Sequence, residues 1–352
     1  MSNNEPRIIE KSNNRLTHID VAKGLGILLT VFGHTLVFSG FVESRAFATI
    51  YAFHMPFFFF LSGYLYKRKP SKAFLSGKVK NLLFPILIYQ SLNILMYFIT
   101  WCFGKTAYYG KISFGGFWFV LTLLFITVIH FFVETVIERL RIGSLSKNVV
   151  FAIIGIIFLA LGLIYSKSIS DKPNQPIATA FVGYFFFDFG MLYKRATEGF
   201  RTKVLNWGVR LCAFILGCGL LTALYFTSKM NECTVDMNTS RYGTLHIFVI
   251  QAIIGIAGLY LISWAINKNK MLQFFGRNSL VILMIHIPIS KLVPFVCERL
   301  ISSHTHAITL LINTVLSIVI SAFMVWLFNK YLPIMTGKFN WEIKNDGEKI
   351  SK

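Results

Sequence analysis

Ten long apolar stretches run through the sequence, and they restrict the folds that the chain can adopt. Each is close to the length of about 20 residues that a helix needs to cross a bilayer. They are continuously apolar rather than alternating between apolar and polar residues, which argues against a membrane β-barrel. We therefore predict an all-α integral membrane protein, a polytopic bundle of about ten transmembrane helices. The stretches lie at about residues 19–39, 47–66, 81–103, 117–137, 148–165, 176–193, 205–227, 242–265, 279–298 and 307–329.

The amino-acid composition agrees with a membrane bundle and excludes an ordinary soluble domain. The chain is 55% hydrophobic and 14% charged, whereas soluble domains carry about 25% charged residues. The cysteines show neither the spacing of a metal site nor an even disulfide framework, so we expect no bound metal. They are Cys102, Cys212, Cys218, Cys233 and Cys297.

The distribution of basic residues predicts the orientation of the bundle. In the predicted loops and tails, 24 lysines and arginines fall on one side and eight on the other. Because cytoplasmic loops are enriched in these residues, both termini are expected in the cytoplasm. Residues 1–18, which show no signal-peptide cleavage site, would form an N-terminal tail, and residues 331–352 a C-terminal tail. The net charge of +20 then reflects topology, with anionic membrane lipids and not nucleic acid as partners.

The first apolar stretch carries three ionisable residues, Asp20, Lys23 and His34. Each such residue costs about 2.5–3.5 kcal/mol at the centre of a membrane helix, so these residues usually face a polar interior. Lys23 and His34 are about 20° apart around the helix and roughly 16 Å apart along it, and Asp20 lies within about 60° of them. A signal-anchor helix with interfacial charges and a structural histidine would also explain each residue alone. Their position on one side favours a functional role, with His34 in the outer half of the bilayer.

His54 in the second stretch is predicted to lie near the depth of His34, because this stretch runs in the opposite direction. Two explanations remain open at this stage. The two histidines line one cavity, or His54 forms a structural hydrogen bond with a neighbouring helix.

The pattern D-x-x-K-G-x(9)-H, formed by Asp20, Lys23, Gly24 and His34, resembles the first helix of the membrane acyltransferase-3 family. These proteins are bacterial O-acetyltransferases that modify cell-surface sugars. The family usually has arginine where this chain has Lys23, and lysine is found in the branch that resembles fucose 4-O-acetylases. The resemblance covers nearly the whole chain, because three further motifs follow in order. They are AFHMPFFFFLSGYLY at 52–66, FWFVLTLLF at 117–125 and FFGRNSLVILMIH at 274–286.

The resemblance implies an enzyme in the plasma (inner) membrane of a bacterium, with residues 19–330 as its transmembrane acyltransferase domain. Such an enzyme would move an acetyl group from cytosolic acetyl-CoA, its acyl donor, to a sugar hydroxyl of a cell-surface or lipid-linked glycan. His34 would act as the general base or as the acyl carrier, since histidine titrates near neutral pH. Lys23, Asp20 and His54 would complete the catalytic group. Direct transfer and an acetyl-histidine intermediate both remain open.

The basic connection at 67–80 is expected to bind the anionic nucleotide end of acetyl-CoA as a set of point charges. The family often has an R-x-x-R pattern there. The nearest match in this chain is Lys69-x-x-Lys72, which lacks the guanidinium fork, and the charges also fit a purely topological role. The predicted donor-binding residues are Lys67, Arg68, Lys69 and Lys72.

Four further residues are predicted to line the cavity. His286 matches the late histidine of the family. Asn278 and Ser279, together with His54, are candidate donors to the oxyanion that develops on the thioester carbonyl. Trp118 either packs at the membrane interface or stacks on a sugar ring.

A different class of function also fits buried charges within a bundle, namely a polysaccharide exporter or flippase that transfers no acyl group. The sequence shows no paired Gly/Pro-broken helices in corresponding halves, which argues against it. A sensory or scaffold protein is a third alternative, but it would not require the ionisable residues around His34.

Overall fold

In this computed structural model the chain is described at residues 16–87, 89–91, 94, 98, 117–169, 176–198, 206–300 and 306–336. Eleven α-helices are assigned within these residues, and the one β-type pairing among them is an isolated bridge between Asp236 and Arg241. The helices are α1 (Thr17–Phe38), α2 (Arg45–Tyr64), α3 (Ser71–Lys78), α4 (Trp118–Arg139), α5 (Ser144–Ile169), α6 (Pro176–Thr197), α7 (Trp207–Thr227), α8 (Leu245–Ile266), α9 (Lys270–Arg277), α10 (Ser279–Leu300) and α11 (His306–Tyr331).

The helices confirm an all-α bundle of membrane-spanning length. Eight of them are long and apolar enough to cross a bilayer, and α9 with α10 forms a ninth candidate span that is bent by 81°. The predicted span at 81–103 begins with a π-helical turn after α3 and then lies largely outside the described residues. Cys102 and most of both predicted tails also lie outside them. The bounds otherwise agree with the predicted stretches to within a few residues, and the side on which each terminus lies stays a prediction.

The helix α2 lies at the centre of the bundle, packed between α1, α6 and α8. In its apolar span 78% of the residues are buried, against 11% for the peripheral α7. Small residues allow α2 and α6 to approach closely, because a Cβ at Gly63 would overlap the carbonyl of Phe187 and one at Gly190 that of Phe60. Close backbone approach at glycine is a common way for membrane helices to pack.

A second close crossing joins the beginning of α1 to α9. A Cβ at Gly24 would overlap the carbonyl of Leu272, and one at Gly276 that of Asp20. The Asp20 carboxylate, whose residue is 4% exposed, accepts a hydrogen bond from Arg277 Nε at 3.2 Å. The chain then bends at Asn278, so that α10 starts beside α1 and packs along it. We call this end of the bundle, where α1 begins and α2 ends, the basic end.

At the opposite end, where α1 ends and α2 begins, polar side chains join α10 and α11 to α1. Pro294 has no N–H to donate to the carbonyl four residues earlier, that of Ser290. Asn313 Nδ2 supplies the missing donor at 3.1 Å and lies 3.3 Å from Ser39 Oγ. Ser317 completes the group by hydrogen bonds to Asn313 and Ser290. These contacts hold the second half of α10 against α11 and the end of α1.

Candidate functional site

His34 lies in a group of rings contributed by α1, α2 and α10. Its ring is half-buried and lies 4.9 Å, centroid to centroid, from the ring of His286. The Tyr51 ring lies at 5.9 Å, with its hydroxyl 3.4 Å from His34 Nδ1. Phe38, one turn further along α1, is stacked with the His34 ring at a centroid distance of 6.4 Å and an interplanar angle of 21°. The three helices therefore converge on this histidine in the half of the bundle away from the basic end.

His54 and His286 are held by their own helices. Each Nδ1 lies within hydrogen-bond distance of the carbonyl four residues earlier, at 2.8 Å from Ile50 and 2.9 Å from Ile282. A carbonyl only accepts, so Nδ1 carries the proton in both rings, and in the neutral form Nε2 is left as an acceptor. His286 Nε2 has no hydrogen-bond partner among the described residues. Both side chains are buried.

The structure brings three of the predicted histidines to one place, with a tyrosine that the sequence reasoning missed. His54 reaches the group through Tyr51, whose ring lies 4.9 Å from it. Tyr51 precedes His54 by three residues, so helical spacing alone would have placed the two on one face. Phe38 and Lys291 were also missed, and Lys291 Nζ lies 5.6 Å from the Phe38 ring centroid.

Asp20 and Lys23 do not contact His34. Asp20 forms its ion pair with Arg277 at the crossing of α1 and α9, which is a structural use of a buried acid. Lys23 is half-buried on α1, and the eleven residues between it and His34 correspond to roughly 16 Å of helix. Their catalytic roles stay predictions.

The remaining predicted cavity residues lie apart from the ring group. Asn278 stabilises the bend between α9 and α10, donating to the Phe274 carbonyl at 2.8 Å and accepting from Asn329 at 3.2 Å. Ser279 begins α10, about 10 Å along the helix from His286. Trp118 begins α4, half-buried, with its ring edge against Phe119 at 6.1 Å.

A cavity of about 430 Å³ opens at the basic end, beside the connection between α2 and α3. Two of the four predicted donor-binding residues line it, and Lys67 and Lys72 are exposed outside its lining. The lining consists of Arg68, Lys69, Pro70, Ser71, Phe131 and Thr135. The cavity thus combines two cations with an aromatic wall.

Neighbouring side chains support this cavity and alter its charge. Lys78 Nζ lies 5.5 Å from the ring centroid of Phe74, which stacks on Phe131 at 4.4 Å. Burial, with a smaller effect of the nearby Lys69 ammonium, lowers the pKa of Lys78 to about 8. The ammonium of Lys78 is therefore charged at neutral pH and loses its proton under mildly alkaline conditions.

The connection itself is tied to α4 and α6 by buried hydrogen bonding. Tyr66 donates its hydroxyl proton to Glu134 at 2.8 Å, and Arg195 lies 3.8 Å from the same carboxylate. Burial and this hydrogen bond raise the pKa of Tyr66 above its ordinary value, so it stays a donor at physiological pH. Within the described parts of the chain, no group of three or more His, Cys, Asp or Glu residues could hold a metal ion.

Comparison with known proteins assigns the chain to a family. A family model described as "Acyltransferase domain" matches residues 16–334, which includes every predicted site residue. The chain belongs to the acyltransferase-3 family. The family match and the multi-pass helical bundle favour the predicted class, a membrane acyltransferase, over the transporter and scaffold alternatives.

A relative among the curated proteins supports the same assignment over part of the chain. Nodulation protein NolL of Mesorhizobium japonicum is 30% identical over 161 residues. The matched segment covers 40% of this chain and 41% of that protein, so the two are alike over less than half of either. No solved structure matches the chain.

Proposed function

We propose that this membrane acyltransferase is an O-acetyltransferase of the bacterial inner membrane. It would transfer the acetyl group of cytosolic acetyl-CoA to a sugar hydroxyl of a lipid-linked or cell-surface glycan, with His34 as the base or the acyl carrier. The observation that carries the proposal is the position of His34, a half-buried imidazole at the meeting point of α1, α2 and α10.

His34 differs from His54 and His286 in the hydrogen bonding and burial of its ring nitrogens. The Nδ1 atoms of His54 and His286 are occupied by carbonyls of their own helices, and both rings are buried. Tyr51, at 3.4 Å, is the only hydrogen-bond partner of His34 among the residues that the structure describes. His34 therefore retains a ring nitrogen for a substrate, while its neighbours are suited to hold and orient it.

The tautomer of His34 determines which nitrogen reacts. If Nδ1–H donates to the Tyr51 oxygen, the Nε2 lone pair is available as a base. Nε2 then takes the proton of the acceptor hydroxyl as the new C–O bond forms and the thioester C–S bond breaks, and the proton passes to the departing thiolate. The same lone pair could instead attack the thioester carbonyl and carry the acetyl group to the acceptor. Tyr51 orients the ring in both routes.

The donor would bind at the basic end. Arg68 and Lys69 line the cavity there and provide charges for the phosphates of acetyl-CoA, and Phe131 provides an apolar wall. Lys67 and Lys72, exposed nearby, add to the positive field that attracts an anionic donor. In this arrangement the donor and acceptor approach His34 from different ends of the bundle, as the predicted topology requires.

Acetyl transfer by the purified protein tests the proposal. The protein would be placed in nanodiscs of phosphatidylcholine, with radiolabelled acetyl-CoA and a lipid-linked glycan fraction from its native membrane. We expect an alkali-labile acetyl ester on the glycan and a roughly 10²–10⁴-fold lower rate for His34→Ala. His246→Ala, at an exposed histidine near the start of α8, is the matched control and should keep the parental rate.

Two results would contradict the proposal. One is a correctly inserted His34→Ala protein that transfers acetyl groups at the parental rate. The other is movement of the glycan across the membrane with no label incorporated, which would favour the transporter alternative.

A further inference from the structure

Lys291 is a cation near the proposed reaction centre. It has no role in the acetyl transfer proposed for His34. It lies on α10, five residues after His286, and is exposed. Its Nζ lies 5.6 Å from the centroid of Phe38, the ring that stacks on His34. The ammonium is also close enough to His34 for their charges to interact. Lys291 therefore lies beside the Phe38 ring that stacks on His34, on the side away from the basic end.

The charge of Lys291 is not neutralised by the protein in the part of the chain that the structure describes. No Asp or Glu side chain there lies within salt-bridge distance of it. Two other cations at this end have partners within the protein, since Lys229 binds Glu43 and Arg45 donates to the Phe226 carbonyl. The exposed Lys291 ammonium is therefore available to an anion that is not part of the protein.

The position of Lys291 is set by the residue before it. Ser290 is held through its carbonyl by Asn313 and through its hydroxyl by Ser317. Asn313 also lies 3.3 Å from Ser39, the residue that follows Phe38. The backbone at Lys291 is thereby fixed relative to the end of α1. Only the lysine side chain must be ordered when a ligand binds, which lowers the entropic cost of binding.

We propose that Lys291 is a specificity-determining residue that binds an anionic group of the acceptor, a carboxylate or a phosphate, beside His34. The inference rests on the proposed acyl transfer at His34. The phosphates of the donor are accounted for at the opposite end of the bundle, where Arg68 and Lys69 line their cavity. The Lys291 cation near His34 is therefore available to the acceptor, the second substrate. Its charge favours acidic over neutral glycans as acceptors.

A pair of sugar probes that differ only in charge tests this role. Octyl glucuronide carries a carboxylate where octyl glucoside carries a hydroxymethyl group. Binding of each labelled probe would be measured in phosphatidylcholine nanodiscs without acetyl-CoA and corrected for uptake by empty nanodiscs. We expect the parent to bind the glucuronide about tenfold to hundredfold more tightly, as for one charge-assisted contact. Lys291→Met should abolish the preference, and Lys291→Arg should keep most of it.

Lys330 provides a matched control on the same protein. Its Nζ also lies over aromatic rings, 5.2 Å from the centroid of Trp326, but at the basic end. Lys330→Met should therefore retain the parental preference. The inference is wrong if the parent binds both probes equally, or if Lys291→Met prefers the glucuronide as strongly as the parent does.

Two further arms separate this inference from its alternatives. If phosphatidylglycerol in the nanodisc removes the preference of the parent, the occupant of Lys291 is a lipid headgroup, and the acceptor role is overturned. Acetyl transfer to both probes would be measured in parallel. A binding preference that depends on Lys291, without any acetyl transfer, would contradict the proposed reaction and leave the anion site standing.

Discussion

Replacement of Asn313 by leucine should destabilise the protein, because its amide substitutes for a hydrogen bond that Pro294 removes from α10. Asn313 is fully buried and donates to the Ser290 carbonyl at 3.1 Å and to Ser39 Oγ at 3.3 Å. An interhelical hydrogen bond in a membrane protein is worth about 0.6 kcal/mol, and a buried carbonyl left without a donor costs about 1–3 kcal/mol. We expect a total loss of about 2–4 kcal/mol for Asn313→Leu.

The second variant of the test restores the missing donor in a different way. Pro294→Ala introduces an N–H that can reach the Ser290 carbonyl within α10, so Asn313→Leu should cost less in this background. We expect a coupling energy of about 1–2 kcal/mol in the double-mutant cycle. Thr314→Val is the control, because the hydroxyl oxygens of Thr314 and Thr35 lie 2.9 Å apart but each is also within hydrogen-bond distance of a carbonyl of its own helix. A hydroxyl has one proton to donate, so Thr35 keeps an acceptor when Thr314 is replaced. The control should cost less than about 1 kcal/mol.

Equilibrium unfolding by SDS in bicelles would give the free energies of unfolding of all five proteins: the parent, Asn313→Leu, Pro294→Ala, the double variant and the Thr314→Val control. Additive effects of Asn313→Leu and Pro294→Ala would refute the reasoning, because they would show that the Asn313 amide does not compensate for the proline.

Four other predictions concern the basic end and the bundle as a whole. The double variant Arg68→Ala, Lys69→Ala should raise the KM for acetyl-CoA about tenfold or more with little change in kcat, and an unchanged KM would assign these charges to topology alone. Because the pKa of Lys78 is lowered to about 8, its ammonium is charged below pH 8 and neutral above it. The donor KM should therefore rise as the pH increases through 8 in the parent, but not in Lys78→Arg, and parallel curves would contradict this. Gly276→Ala should cost about 1–3 kcal/mol in SDS unfolding through overlap with α1, whereas Gly219→Ala, with nothing within 4 Å of its Cβ, should be neutral or slightly stabilising. A reporter fused to the C-terminus should read as cytoplasmic, and a periplasmic reading would invert the predicted orientation.

The approximate ends of the described spans were predictable because the apolar length of a segment determines whether it can cross a bilayer. Eight or nine of the ten predicted spans lie within the described residues. The bend between α9 and α10 was not predictable in this way. Residues 270–277 form a short, amphipathic helix, and their packing under α1 depends on the glycine contacts at Gly24 and Gly276. These are tertiary contacts that hydropathy does not report.

The sequence predicted the approximate depth of the candidate histidines in the bundle but not which of their rings are in contact. The sequence placed His34 and His54 at similar depth, and the structure inserts Tyr51 between them. It placed His286 near the middle of the membrane but could not show that its ring meets that of His34. That contact depends on the register of α10 along α1, which is set at the other end of the helix by Asp20 and Arg277.

The central position of α2 has a consequence for how the sequence can vary. A helix with one lipid-facing side accepts exchanges among apolar residues on that side, so its tolerated substitutions recur with a period of 3.6 residues. Among the described residues α2 has almost no such side, whereas α7 is largely exposed and packs most closely where Gly217 meets Gly258. In a saturation library scored for folded protein, α2 should reject changes at nearly every position. α7 should accept apolar exchanges everywhere except along one narrow line.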